Sequence, residues 1–205
     1  MSPARTISIA LLALALTSSC VTRREITGQQ VSGLDRKLST FVYIEDGDLV
    51  DFLVATKATR YRDGQPYIPV EIGVANLGLK QLSMGRESFV LVDEAGNRYP
   101  AAGPAELMES YEFLDMDQNL VEIEAVVVTK YAAFTRYPSK FSPTRAARRG
   151  TSNIVRDLVS LPKFGYMLDM LYFPAPATGV KGHTFELFLQ APELPDPVFV
   201  RFEVR

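Results

Sequence analysis

Apolar and polar residues alternate with a period of two over much of the chain, which is typical of strands with one buried face. The segment 65–76 shows the pattern most clearly, because an aliphatic residue occupies every second position. These aliphatic residues are Ile68, Val70, Ile72 and Val74. A helix would scatter the four side chains around its circumference, so the alternation predicts a strand.

A second strand is predicted just before this one, where Val50, Phe52 and Val54 share a face. The residues between the two strands include Asp63 and Gly64. An Asp-Gly pair tolerates the positive φ that tight hairpin turns require. We therefore expect the two strands to pair as an antiparallel hairpin.

The same alternation recurs in the rest of the chain. The segment 87–100 is typical of a strand, a turn at 94–97 and a return strand. Three further strands are predicted, each with apolar residues on one face. These residues are Val121, Ile123, Ala125 and Val127 in the first strand, Phe185, Leu187 and Leu189 in the second, and Val198, Val200, Phe202 and Val204 in the third. Seven or eight short antiparallel strands joined by turns favour a β-sandwich.

The segment 100–178 also contains patterns of helical spacing, which predict that it is partly helical. Helical spacing of Leu107, Tyr111 and Leu114 predicts one helix there. A second helix is predicted up to Pro162, with capping residues Thr151 and Ser152 and an apolar stripe of Ile154, Leu158 and Leu161.

The chain begins like an export signal, with a basic residue near the start and an apolar stretch at 7–16. That stretch is much shorter than the roughly 20 residues needed to cross a bilayer. Small residues then precede Cys20, an order that resembles a bacterial lipoprotein signal, although Thr17 stands where such signals usually have leucine. The alternative is an ordinary secretory signal with a cysteine near its end.

The lipoprotein resemblance implies a processed and lipid-anchored protein. Residues 1–19 would be removed, and Cys20 would carry a diacylglyceryl thioether and an acylated amine, with fatty acids such as palmitate. The polar residues 20–38 would form the lipidated cysteine and a flexible tether, and 39–205 would form the folded domain. The expected location is the bacterial cell envelope, on the outer membrane facing the periplasm if the source is Gram-negative.

A second resemblance concerns the folded domain. Phe89, Leu91, Asp93, Gly96 and Tyr99 form a spaced strand-and-turn motif, and a glycine-led strand covers 182–192 near the end of the chain. This combination is similar to an immunoglobulin-like domain of unknown function that is common in exported bacterial lipoproteins. The resemblance implies a mainly β fold, an immunoglobulin-like antiparallel β-sandwich, with the helical insertion at about 100–178. It implies no catalytic residue, because that family has no established one.

Composition excludes some function classes. Hydrophobic residues make up 47% of the chain, as in a folded protein, and a net charge of -2 argues against nucleic acid as the main partner. Cys20 is the only cysteine, so a disulfide within the chain is excluded, and His183 is the only histidine. A zinc site or a nucleophile–base pair is hard to assemble from these two residues, and we expect no metal and no cofactor.

The apolar run at 164–173 has two interpretations. A run rich in Met and aromatic residues can serve as an adaptable surface for a partner or a lipid. The candidate contacts are Phe164, Tyr166, Met167, Met170, Leu171 and Tyr172. Alternatively the run completes the core of the sandwich, which we favour because an exposed run of this kind would promote aggregation.

A basic stretch before it offers candidate contacts to an anion, at Lys140, Arg145, Arg148 and Arg149. Anionic lipid headgroups or an acidic envelope polymer would suit them, but a solvated or locally paired loop is the favoured interpretation. The acidic residues at 115–124 resemble the opening of a calcium loop. That loop would need glycine and glutamate where Leu120 and Val126 stand.

Together these patterns predict a lipid-anchored binding or structural accessory protein of the cell envelope, with no catalytic activity. Its partners would be the membrane, through the anchor, and an envelope protein or polymer. The rival hypothesis is a carboxylate-dependent enzyme that acts on envelope glycans. A cleft that holds two close acids would favour the enzyme.

Overall fold

The computed structural model describes residues 36–143 and 155–205, and the chain in these ranges is mainly β. The strands are β1 (Arg36–Lys37), β2 (Val42–Asp46), β3 (Val50–Ala55), β4 (Tyr67–Asn76), β5 (Gln81–Met84), β6 (Phe89–Asp93), β7 (Arg98–Pro100), β8 (Thr135–Arg136), β9 (Val159–Pro162), β10 (Gly165–Pro174), β11 (Thr184–Leu189) and β12 (Val198–Glu203). The helices are α1 (Lys57–Arg60), α2 (Pro104–Ser110), α3 (Leu114–Asp117) and α4 (Ile123–Lys130), with one 3₁₀ turn at Arg86–Ser88.

The strands form three sheets within the described residues. A six-stranded sheet has the order β1-β2-β3-β4-β10-β8, a four-stranded sheet the order β12-β11-β6-β7, and β5 pairs with β9. All of these pairs are antiparallel except β8 with β10, which is parallel over two residues. Since β10 pairs with β4 through nine residues, the segment 100–178 contributes a strand to the larger sheet as well as helices.

The two larger sheets face each other across one apolar core. The alternating residues of β3, β4 and β10 enter it from one side, and those of β6, β11 and β12 enter from the other. Phe52 and Phe89, from opposite sheets, have ring centroids 6.0 Å apart. Burial of one such side chain stabilises a fold by about 1.5–3 kcal/mol, so the many residues of this shared face hold the two sheets together.

The antiparallel pairing predicted for both hairpins is confirmed, but the first hairpin has no tight turn, because residues 56–66 with helix α1 connect its strands. Strand β3 pairs with β4 in antiparallel register, and Gly64 in the connection has a φ of 78°. Strand β6 pairs with β7, and Gly96 in that turn has a φ of 83°. The Asp93 carboxylate accepts the Asn97 N–H at 2.8 Å and the Tyr99 hydroxyl at 2.9 Å, which explains the spacing of these residues in the motif.

The segment predicted as a strand around Val121 to Val127 forms helix α4 instead, so that prediction is wrong. Ile123 and Val127 lie one helical turn apart and are both buried against the outer face of the six-stranded sheet. Aliphatic residues also occupy 126–128 without a break, and such a run fits a strand or a helix equally well. The apolar surface of the sheet therefore decides the conformation.

The helix predicted up to Pro162 is also wrong where the structure describes it. Val159 to Pro162 form strand β9, with Val159 and Leu161 buried and Ser160 exposed. Leu158, expected on the apolar stripe, is 61% exposed. The other predicted helix residues, Thr151, Ser152 and Ile154, lie outside the described residues.

The helix predicted around Leu107 forms as two short helices, α2 and α3. Tyr111 lies between them in an extended conformation, with φ of -131°. Leu107, Tyr111 and Leu114 are all buried and pack with Tyr172 on the outer face of the sheet. Both faces of the larger sheet are thus covered. Within the described ranges, no helix combines the length and the apolar character that crossing a bilayer requires.

Candidate binding cleft beside strand β10

Strand β10 lies next to the edge of the larger sheet, and most of that edge is covered without a regular strand. After the short pairing with β8, the Tyr137 N–H donates to the Tyr166 carbonyl at 2.8 Å. The hydroxyls of Ser139 and Ser142 then donate to the carbonyls of Leu168 and Met170, each at 2.7 Å. Serine hydroxyls thus replace strand amides, so the edge carbonyls are satisfied although the neighbouring chain is irregular.

A cleft of about 480 Å³ lies beside this covered edge. Its lining residues come from β4, β10, the segment 136–142 and the chain around α3 and α4: Glu71, Asp115, Gln118, Asn119, Val121, Glu124, Arg136, Ser139, Lys140, Ser142, Leu168, Asp169 and Met170. The volume lies within the range of roughly 300–1,000 Å³ that is common for small-ligand sites.

Glu71 forms part of the cleft wall and is 3% exposed. Its carboxylate accepts the N–H groups of Glu122 at 2.6 Å and Ile123 at 3.1 Å, where helix α4 begins. Such N–H groups have no partner within the helix, so Glu71 caps α4 from the neighbouring strand. Burial raises the pKa of Glu71 to about 7, and the two N–H donors oppose that rise.

Asp169 occupies the adjacent part of the wall and is half-buried. Its carboxylate accepts the N–H of Phe141 at 2.9 Å and the N–H of Met170 at 2.8 Å, and so fastens the segment 139–142 to β10. Burial raises the pKa of Asp169 to about 6, against the two N–H donors, the Ser139 hydroxyl and the charge of Lys140. The Asp169 carboxylate therefore has a structural role, as the Glu71 carboxylate does.

The outer part of the cleft carries both signs of charge. Arg136 and Glu124 form an ion pair at 2.9 Å, and each side chain is about half exposed, at 53% and 54%. Lys140 and the amides of Gln118 and Asn119 add further polar groups. The cleft therefore presents hydrogen-bond donors and acceptors together, which suits a polar ligand that contains both.

The structure separates the residues proposed from the apolar run 164–173. Met167 and Leu171 lie in the core between the sheets, and Met170 and Tyr172 lie beneath α2 and α3. Tyr166 is half-buried near Tyr131, with ring centroids 6.3 Å apart. Four of the six side chains are thus buried, which favours the core interpretation for them, whereas Phe164 is 51% exposed.

Of the four cationic residues proposed to contact an anion, Lys140 lines the cleft. Arg145, Arg148 and Arg149 lie outside the described residues, as does Cys20. Asp117, one of the acidic residues at 115–124, is fully buried. Its carboxylate accepts hydrogen bonds from Arg62 Nε at 2.7 Å and from the Tyr111 hydroxyl at 2.6 Å. Within the described ranges, no group of three or more side chains of the metal-binding types lies together.

Sequence reasoning missed Glu71, Ser139 and Ser142. The alternation in β4 placed Glu71 on a face expected to be solvated, yet helices cover that face. One signal was present: the other residues of that face, Pro69, Gly73 and Ala75, are uncharged, which is unusual for a solvated surface. No pattern in the sequence indicates that the two serines contact β10.

No family model matches the chain, and no curated protein matches it significantly. Among solved structures, the chain is similar to one from Bacillus subtilis described as a "putative lipoprotein (ycdA)". The sequence identity is 12% and the TM-score is 0.41. The match covers 78% of this chain and 38% of that one, so the chain spans well under half the length of the protein it resembles.

Proposed function

We propose that the protein is a lipid-anchored, non-catalytic accessory protein of the bacterial cell envelope, and that it binds an envelope protein or polymer through the cleft beside β10. The lipoprotein-type signal ending at Cys20 supports the anchor. The polar cleft supports binding. In this proposal 1–19 is the signal peptide, Cys20 is lipidated, and the chain between Cys20 and β1 is the tether, so the tether ends before Arg36 and not at residue 38. An outer membrane would carry the protein in a Gram-negative source.

One observation carries the non-catalytic part of the proposal: the two carboxyl groups with raised pKa in the cleft already hold backbone N–H groups. A general acid or base must reach the proton that it transfers. Glu71 holds the start of α4, and Asp169 holds Phe141 and Met170. Both carboxylates therefore serve as parts of a fixed wall for a ligand.

The outer groups of the cleft indicate the class of ligand. Arg136 and Lys140 can donate to carbonyl or carboxylate oxygens, and Glu124 can accept from amide or ammonium groups. A polymer or protein segment that carries amides would satisfy both types of group. We therefore propose a ligand with peptide-like groups.

The strand order supports an immunoglobulin-like arrangement. In the immunoglobulin fold, one sheet contains strands A, B and E in that order, and the other contains G, F, C and, in variable-type domains, C′. Strands β3, β4 and β10 match the first series, and β12, β11, β6 and β7 match the second. Two features are additional, namely β1 and β2 beyond the A position and the short parallel β8 beside β10.

Photo-crosslinking in intact cells tests the binding function. A crosslinking amino acid replaces Asn119, an exposed lining residue, and in a second protein it replaces Lys181, which is exposed and lies outside the cleft. We expect a discrete adduct from position 119 only. The adduct should decrease at least fivefold on Arg136→Ala, because a ligand-facing cation is lost.

The matched control for that variant is Arg201→Ala. Arg201 also forms an exposed ion pair, with Glu186, but it lies on the other sheet. Adducts of equal intensity from positions 119 and 181, or an adduct that Arg136→Ala leaves unchanged, would contradict binding in the cleft.

A second candidate function is a carboxylate-dependent enzyme that acts on envelope glycans. The observation that favours it is the presence in one cleft of two carboxyl groups with pKa values near 7 and 6. A carboxyl group with such a pKa can donate a proton near neutral pH. The test is the release of new reducing ends from isolated cell-wall glycan by the purified protein. If the protein releases reducing ends, and if Asp169→Asn abolishes this release while Glu124→Gln preserves it, the enzymatic function would replace the proposed binding function.

A further inference from the structure

The sandwich has two ends, and the strand register identifies the turns at each. Val50, the first residue of β3, pairs with Asn76, and Tyr166, the second residue of β10, pairs with Ala75. The turns at 47–49 and 163–164 therefore lie at one end, which we call the tether end. Pro174 pairs with Tyr67 at the opposite end. Ten residues of β10 separate the two ends. At roughly 3.3 Å per residue this corresponds to about 30 Å.

The chain enters the sandwich at the tether end. Strand β1 is antiparallel to β2, with Arg36 opposite Ile44 and Lys37 opposite Tyr43. The first residue of β1 therefore lies nearer than the second to Asp46 and the turn at 47–49. An anchor at Cys20 would attach the domain to the bilayer through this end.

Phe164 forms the tip of a turn at the tether end, in an unusual backbone conformation. Its φ is 62°, and among the described residues it is the only one other than glycine with a positive φ. The Phe164 N–H donates to the Asn76 carbonyl at 2.8 Å, and its carbonyl accepts the Thr135 N–H at 2.9 Å. Glycine would adopt this conformation at lower cost, so the backbone gives no reason for a bulky aromatic residue.

The Phe164 side chain is partly packed and partly exposed. Its centroid lies 5.3 Å from that of Phe134 in an edge-on contact, and Lys163 Nζ lies 5.1 Å from the ring centroid. About half of the residue remains exposed, at 51%. An aromatic ring next to a lysine is a combination that suits the boundary between lipid and water, since the ring enters the apolar layer while the ammonium group stays hydrated.

We propose that Phe164 and Lys163 contact the surface of the bilayer in which the lipids on Cys20 are embedded. This inference rests on the anchoring part of the proposed function. Sixteen residue steps separate Cys20 from Arg36, and a chain of this length spans at most about 55 Å. The tether end is therefore always within reach of the bilayer, and tethering raises the local concentration enough for a weak contact to orient the domain.

The orientation has a consequence for the cleft. Asp169 follows Phe164 by five residues along β10, which corresponds to about 16 Å. A domain that rests on Phe164 would hold the cleft above the headgroups, where an envelope ligand can enter it. The contact with lipid and the contact with the ligand then use different surfaces of the same domain.

Lipid-borne quenching of a site-specific fluorophore tests the proposal. The lipidated full chain is reconstituted in vesicles of phosphatidylethanolamine and phosphatidylglycerol that contain a nitroxide lipid. Cys20 is the only cysteine and is blocked by lipidation, so one introduced cysteine takes the label. Lys80→Cys places the label beside Gln81, which pairs with Pro162 near the turn. Ala95→Cys places it in the β6–β7 turn, which lies at the opposite end. There Asp93 pairs with Phe185 beside the end of β12, and the Glu203 carbonyl accepts the hydroxyl of Tyr43, which pairs with Val54 near the end of β3.

We expect at least threefold stronger quenching at position 80 than at position 95, and loss of that difference on Phe164→Ser. Leu158→Ser is the matched control, because it also removes a large exposed apolar side chain, 61% exposed, at another place. Far-ultraviolet circular dichroism checks folding. If Phe164→Ser unfolds the chain, Phe164→Gly removes the ring while it accommodates the positive φ.

The outcomes separate the anchor from the contact. A lipidated protein that does not float with the vesicles would refute the anchoring function. A protein that floats, but shows equal quenching at positions 80 and 95 or quenching that the Phe164 variants leave unchanged, would overturn the contact and leave the anchor intact. Phe164-dependent crosslinking of position 80 to a protein, without lipid quenching, would also overturn it.

Discussion

The Glu71 carboxylate accepts the backbone N–H of Ile123, the first residue of α4, at 3.1 Å. The two residues are 52 positions apart in the chain. One acid of a central strand therefore fixes the start of the helix that covers the outer face of the sheet. The same helix carries Glu124, which pairs with Arg136 at the outer part of the cleft. The stability of the helix and the shape of the cleft thus depend on one carboxylate.

We predict that Glu71→Ala destabilises the protein by about 1–3 kcal/mol, because it leaves buried N–H groups at the start of α4 without an acceptor. Urea unfolding followed by circular dichroism measures the change. Glu124→Ala is the control, since Glu124 lies on the same helix but is exposed, and we expect it to change the free energy of unfolding by less than about 0.5 kcal/mol. Equal effects of the two variants would contradict the capping role.

The raised pKa of Glu71 predicts a pH dependence of stability. Its folded-state pKa is about 7, against an ordinary value of 4.5. Between these values the folded state binds more protons than the unfolded state, so the free energy of unfolding falls as the pH rises from about 4.5 to 7. One such group contributes at most about 1.4 kcal/mol per pH unit. Asp169 acts in the same direction between 3.8 and about 6.

The measurement is the free energy of unfolding at intervals from pH 4.5 to 8, for the unmodified protein and for Glu71→Gln. Between pH 6 and 7, Glu71 still titrates but Asp169 does not. We therefore expect the free energy of unfolding to decrease much less over this interval in Glu71→Gln than in the unmodified protein. A profile of unchanged slope in the variant would show that Glu71 has an ordinary pKa in the folded protein.

The buried ion pair of Arg62 and Asp117 supports a third prediction. Asp117 has no exposed side-chain surface, and the Arg62 side chain is 13% exposed. Removal of one partner from a buried pair typically costs about 3–5 kcal/mol, since the other charge stays buried. We expect a loss of this size for Asp117→Ala, and less than about 1 kcal/mol for Arg201→Ala, which breaks a more exposed pair. Chemical denaturation compares them, and similar small losses would contradict the prediction.

The anchor predicts a change of cellular fraction. Without its thiol, Cys20→Ser cannot receive the diacylglyceryl group, and stable anchoring requires more than one acyl chain. We expect the variant to move from the membrane fraction to the soluble fraction after cell lysis, as detected by immunoblot. Cys20 is the only cysteine, so the substitution disturbs no disulfide. A variant that stays entirely with the membranes would contradict lipid anchoring.

The sequence predicts the parts of the fold in which one face is apolar and the other polar. Val50, Phe52 and Val54 identify β3, and Phe185, Leu187 and Leu189 identify β11, because a period of two is a local property. Helix α4 and strand β9 could not be predicted in this way. Their conformations depend on partners far along the chain, Glu71 for α4 and β5 for β9.

The candidate cleft is less predictable than the fold for the same reason. Lys140 was singled out by its charge, but Glu71 and Asp169 become neighbours of the cleft only because β4 and β10 pair. The raised pKa values follow from burial, and burial of these two acids depends on helices and loops that close the outer face. A sequence pattern shows the charge of a residue, but the burial and the pKa of that residue depend on the complete fold.

Asn76 supports the last prediction, because its buried amide joins three segments at the tether end. Its Nδ2 donates to the carbonyls of Leu79 at 3.0 Å and Leu161 at 2.9 Å, and its Oδ1 accepts the Leu79 N–H at 3.0 Å. Asn76→Ala leaves these backbone groups without their partner, and each buried group left unsatisfied costs about 1–3 kcal/mol. We therefore expect a loss of several kcal/mol in the free energy of unfolding.

The destabilisation caused by Asn76→Ala should also be local. The Asn76 carbonyl accepts the Phe164 N–H, so a weakened Asn76 should release the 163–164 turn before the rest of the sheet. Hydrogen exchange of the Phe164 and Leu79 N–H groups should accelerate more than that of Ile72 in the middle of β4. Asn97→Ala, at an exposed turn residue of the opposite end, is the control and should accelerate neither. Uniform acceleration across β4 would show that Asn76 stabilises the whole sheet equally and would contradict a local role at the tether end.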